Sequence, residues 1–125
     1  MTGTYVGALL LVTGIITLVP IVLTLAPQPA LRILFGDPSP NVLTQALARH
    51  WGLLVALVGA LLVYAASHAD ARAPVMVVAA VEKFGVGIIF GFALPRRPVL
   101  VAVIVADAVM ALLYVTFLAG GCCSL

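Results

Sequence analysis

Four long apolar runs, separated by short stretches of proline and polar residues, take up nearly the whole chain. The first covers 4–26. The second covers 40–66, where Ser39 offers an N-cap side chain and Pro40 a first helical residue whose missing N–H has no helical partner to lose. The polar SHADARA turn separates it from the third run, 74–94, and the LPRRP turn leads to the fourth, 99–119. Each run is long enough to cross a hydrocarbon core of about 30 Å at about 1.5 Å per residue. The pattern predicts an all-α fold, an integral membrane antiparallel four-helix bundle forming a single transmembrane domain over 1–125. Between the first two helices, 27–39 carries three prolines, and its ALRILFG portion reads as a connector lying in the interface with Arg32 toward phosphate groups.

Composition narrows the function classes. Hydrophobic residues make up 65% of the chain and charged residues 8%, with a mean hydropathy of +1.32, whereas soluble domains are about 25% charged. With 125 residues, four crossings leave no room for a soluble catalytic domain. A net charge of +2 is too small for a nucleic-acid surface, so the expected partner is the lipid bilayer, joined by further copies of the chain or by a larger membrane complex. The first run lacks a positive n-region and exceeds the length of a signal peptide's apolar segment, so it reads as a spanning helix. Arg32, Arg49, Arg96 and Arg97 fall on one side and Arg72 on the other. The positive-inside bias then places both termini, with Cys122 and Cys123, outside the cell membrane.

Several small and polar residues carry packing readings. Gly52, Ala56 and Gly59 share a face of the second helix and offer a smooth strip for a neighbour. Pro20 is expected to kink the first helix, with the hydroxyls of Thr13, Thr17 and Thr24 re-satisfying the carbonyl it frees. Trp51 marks the edge of the hydrocarbon.

The third run holds the chemistry, because Glu82 and Lys83 stand in its middle. Two charges at the centre of a spanning helix cost about 5–7 kcal/mol, against about 3–7 kcal/mol returned by the eleven Leu, Ile, Val and Phe residues of 74–94. That helix therefore has to be buried among others that supply partners. Helical rise puts Lys83 about 18 Å and Asp107 about 13 Å from the intervening turn, an offset that a lysine side chain can span. Their ion pair leaves Glu82 over, facing Arg49 or His50 if the second helix sits deep enough; without a partner it holds a proton. Gly87 and Gly91 lie on the Lys83 face and predict close approach of a neighbour below the lysine. The candidate cluster is thus Glu82, Lys83, Asp107, His50 and Arg49, with no residue assigned to catalysis.

No metal site is expected, since His50 and His68 are the only histidines and the topology places them on opposite sides. Gly-rich phosphate loops, a serine-hydrolase elbow and a CxxC motif are absent from the sequence. No cofactor is required by these residues, although a quinone or a lipid would suit the intramembrane cluster.

With the RHWG entry to the second helix (Arg49 to Gly52) and AAVEKFGVG in the third (Ala79 to Gly87), the chain resembles small bacterial membrane proteins of the broad DoxX-like type. The resemblance implies a compact four-helix bundle and a redox or quinone-linked accessory role, with no catalytic residues to transfer. The functional expectation is an accessory or small-ligand-binding membrane subunit. Two alternatives stand beside it: an oligomeric transporter or proton-conducting unit, and a quinone- or lipid-linked oxidoreductase subunit, which an ordered pocket beside Glu82 would favour.

Overall fold

The computed structural model describes residues 2–35, 41–93 and 98–120. Among them every regular element is helical: α1 (Thr2–Leu18), a 3-10 turn (Val19–Ile21), α2 (Val22–Leu25), α3 (Pro27–Phe35), α4 (Val42–Ala66), a second 3-10 turn (Ala69–Ala71), α5 (Arg72–Ala93) and α6 (Pro98–Ala119). Four stretches are long and apolar enough to cross a membrane, namely Tyr5–Leu25, Val42–Ala66, Ala69–Phe92 and Pro98–Ala119.

The first of these is α1, its 3-10 turn and α2 run together. Pro20 tightens one turn, and Leu18 and Ile21 on either side keep right-handed helical dihedrals. The threonines do not repair the proline. A threonine hydroxyl bonds back to the carbonyl three or four residues upstream, and the carbonyl that Pro20 frees belongs to Ile16, outside that reach for all three. Thr13 donates instead to the Leu9 carbonyl and Thr17 to the Thr13 carbonyl, each at 2.7 Å, while Thr24 donates to the Arg49 carbonyl on α4 at 2.8 Å.

The connector forms a true helix. On α3, Ala30 and Leu31 turn inward onto Leu23, with Ala48 and Trp51 packed alongside, while Arg32 and Ile33 are exposed. The expected cap at Ser39 and Pro40 lies outside the described residues. The cap of α4 is Asn41, whose Oδ1 accepts from Leu43 N at 2.8 Å and Thr44 N at 3.3 Å, satisfying two first-turn donors. At the other end of α4, Arg72 donates from Nε to the Ala65 carbonyl (3.0 Å) and from a terminal nitrogen to the Ala66 carbonyl (2.8 Å). A cation there complements the helix's negative end. Arg72 also opens α5, so Pro74 sits within its first turn, where a missing N–H is tolerated.

Packing divides the molecule into two helix pairs. α1 lies along α4 and α5 along α6, with a smaller contact between α4 and α5. The α1/α4 seam uses the predicted small-residue strip. A Cβ on Gly59 would stand 2.7 Å from Leu18 N and 2.8 Å from Gly14 O, and one on Gly52 would stand 2.6 Å from Pro20 O. Glycine is required there because backbone fills the space. Gly87 and Gly91 do not act as expected. A Cβ on Gly87 would meet only Ile104, at 3.7 Å, and one on Gly91 would have nothing within 4 Å. Sharing the lysine's face does not bring a backbone against them.

The main core gathers at the end of the molecule near the Ser67–Ala71 turn. Val6 and Leu10 of α1, Leu62 of α4, Met76 and Ala79 of α5 and Tyr114 of α6 interlock there. Beyond Lys83, toward the other end, this core gives way to a cleft.

A cleft with a buried lysine

Lys83 is 1% exposed, and it forms the junction between core and cleft. Its ammonium donates to Asp107 Oδ1 on α6 at 3.2 Å and to Thr17 Oγ1 on α1 at 2.9 Å. A cation on α5 thus joins the two helix pairs, with the ion pair crossing the α5/α6 seam at the offset that helical rise allows. Thr17 passes its own proton to the Thr13 carbonyl, so its hydroxyl oxygen is oriented to accept from the lysine. Sequence reasoning missed Thr17 as a ligand of the ammonium. The available signal was the Thr13/Thr17 spacing, which stacks two hydroxyls on one helix face.

Glu82, one residue earlier, is rotated about 100° around the helix from Lys83. Its Oε2 is shut away from solvent and makes no hydrogen bond among the described residues. Neither expected partner reaches it. Arg49 is exposed and turns to the last turn of α2, where a terminal nitrogen donates to the Thr24 carbonyl at 3.3 Å while Thr24 donates back to the Arg49 carbonyl. The carbonyl-rich end of a helix attracts that guanidinium. His50 is exposed as well. The structure therefore brings together Glu82, Lys83 and Asp107 and leaves Arg49 and His50 out of the cluster.

Tyr114 is fully buried, and its hydroxyl has the Thr13 side chain as its hydrogen-bonding neighbour. It belongs to the core end, away from the cleft wall.

The cleft itself has a volume of about 390 Å³ between the two helix pairs, with α3 across one side, and it opens outward past Ile16, Val19 and Ile33. Its walls are almost wholly apolar, from Ile16, Pro20, Ile33, Val55 and Val103 among others. The polar exceptions are Thr17, Glu82, Lys83 and Asp107, and Trp51 supplies an indole that meets Phe90 edge-on at 5.2 Å. The volume lies in the range of sites for small molecules, about 300–1,000 Å³, and the composition is theirs too: apolar walls with a few convergent polar groups.

No group of three His, Cys, Asp or Glu side chains among the described residues could hold a metal. His68 stacks on Tyr64 with ring centroids 3.8 Å apart, and its Nδ1 lies 2.9 Å from the Tyr64 carbonyl. Arg96, Arg97, Cys122 and Cys123 lie outside the described residues. Set against family models, curated proteins and solved structures, the chain matches none.

Proposed function

We propose that the protein is a multi-pass, antiparallel four-helix bundle of the cell membrane that binds a small lipid-soluble molecule in the cleft beside Glu82, Lys83 and Asp107, acting as an accessory subunit. The observation that carries this reading is the cleft itself. A 390 Å³ apolar cleft that borders three ionisable side chains matches a small molecule with an apolar body and a polar group, and intramembrane ionisable groups are expensive to keep without a use. The Lys83, Asp107 and Thr17 bonds keep that space from collapsing.

A quinone- or lipid-linked oxidoreductase subunit is the second reading. A pocket next to Glu82 favours it, and the likeness of the RHWG and AAVEKFGVG stretches to DoxX-like proteins points the same way. The proton-conducting alternative gains less support, because the Thr17 proton is spent on the Thr13 carbonyl and is not aligned for relay to another side chain.

Native mass spectrometry of the protein purified in mild detergent tests the reading. The expected result is a retained small molecule that an Ala106→Trp substitution, which fills the cleft, excludes. A folded protein that carries nothing, or one whose retained molecules are unaffected by Ala106→Trp, refutes it. Orientation has its own test. With both termini outside, a membrane-impermeant reagent reaches reduced Cys122 and Cys123 in intact cells; labelling only after lysis reverses the topology.

A further inference from the structure

We infer that the ligand of the cleft is a lipophilic organic monocation, an amine or ammonium head on an apolar body, with the Glu82 carboxylate as its counter-ion. The inference rests on the reading of the cleft as a binding site and adds the chemical class of its occupant. Three features of the wall lead there. The first is charge: Glu82, Lys83 and Asp107 are the ionisable residues lining the cleft, and Lys83 is spent on Asp107. One negative charge remains unmatched when all three are ionised. It belongs to Glu82.

The second feature is the balance of donors and acceptors. An ammonium has three donors, and two of Lys83's are taken by Asp107 and Thr17. The Thr17 proton goes to the Thr13 carbonyl, and the Trp51 ring offers a single N–H. Glu82 meanwhile makes no hydrogen bond to any described residue; its Oε2 is closed off, which leaves Oε1 as the oxygen open to a ligand. With Glu82 ionised, acceptors are in surplus, so a complementary ligand brings donors together with the positive charge that lets an otherwise unpartnered carboxyl give up its proton. A ligand whose head carries only carbonyl oxygens would leave Glu82 as it stands and compete for few donors.

The third feature is Trp51, which lines the same cleft. Its indole meets Phe90, eight residues or about 12 Å along α5 from Glu82, so it packs against the apolar body of a ligand whose head lies at Glu82. The Glu82 carboxylate thus recognises a cationic head by charge, and the indole with the aliphatic wall takes up the hydrocarbon body by burial. An anionic head would meet only repulsion at Glu82.

Trp51 also makes the test direct, since it is the only tryptophan in the chain. The full-length protein in mild detergent is titrated with 1-adamantylamine, protonated at neutral pH, with the isosteric neutral 1-adamantanol and with 1-adamantanecarboxylate, following Trp51 fluorescence. The amine is expected to give a saturable change at least tenfold tighter than the alcohol, with the carboxylate weaker still. In Glu82→Gln the preference for amine over alcohol is expected to vanish while alcohol binding persists. The wild-type comparison stands without the variant, so a Glu82→Gln protein that fails to fold does not blunt the test. Equal binding of amine and alcohol, or tighter binding of the alcohol or the carboxylate, overturns the cation inference and leaves the cleft reading in place. No saturable change with any of the three overturns both.

Discussion

The seam between α1 and α4 and the seam between the two helix pairs are closed by opposite means. In the first, side chains are missing where backbones meet: Gly14, Gly52 and Gly59 each have backbone or fixed side-chain atoms where a Cβ would go. In the second, backbones stay apart beyond the core, and one long side chain reaches across, Lys83 to Thr17. For a bundle in lipid, as proposed above, the contrast bears on what holds the helices together. Without a hydrophobic drive between them, association depends on close packing and on interhelical hydrogen bonds. At the level of Lys83 each seam uses a different one of the two, while the core end packs both helix pairs together and Arg72 and the Thr24/Arg49 pair add hydrogen bonds elsewhere. A close-packed seam leaves no volume, whereas a bonded one can hold a cleft open.

Substitutions can separate the two modes. The largest expected effect is at the bonded seam. Lys83→Met strands the Asp107 carboxylate and should cost about 3–5 kcal/mol, while Lys83→Met with Asp107→Leu should be far milder. Additive losses in detergent unfolding would show that the pair does not act as a unit. Next comes Thr17→Val, which removes one acceptor from the ammonium and should cost about 1.5–3 kcal/mol, the range for a hydrogen bond to a charged group. Gly59→Ala tests the close-packed seam and should cost about 1–3 kcal/mol, because the new methyl meets backbone at 2.7 Å and the helices must separate. Gly91→Ala should be neutral or stabilising by up to about 1 kcal/mol, since nothing lies within 4 Å of the added atom and alanine favours helix. If Gly59→Ala and Gly91→Ala shift thermal unfolding alike, the distinction between the seams fails.

Much of this arrangement is readable from the residues alone, and the parts that are not share a physical cause. The apolar runs predict the long helices to within a few residues, because run length and flanking proline are local properties. α4 begins two residues later than Ser39 and Pro40 suggest, since Asn41 is an equally good cap and the choice between them is tertiary. The Lys83/Asp107 pair follows from helical rise and a short connection, again local geometry. Thr17 does not, because it lies on a helix whose rotation about its axis no local signal reports. The same ignorance misassigns Glu82 to Arg49 or His50 and credits Gly87 and Gly91 with a neighbour. Facing is a property of pairs of helices, and a single chain's periodicity specifies only one member of each pair.

On the proposed reading of a membrane-spanning bundle, the bonds of Lys83 also imply an order of assembly during biosynthesis. Thr17 lies 66 residues before the lysine and Asp107 lies 24 after it, so one partner already exists when α5 leaves the ribosome and the other is still to be made. The lysine-bearing segment is marginal in lipid by itself. For a chain inserted in that way, the first helix would already offer a neutral acceptor when α5 enters the bilayer, and α6 would bring the charge that completes the set. A chain stalled between α5 and α6 presents an unmatched ammonium to the bilayer, and that species is where membrane quality control would be expected to act first.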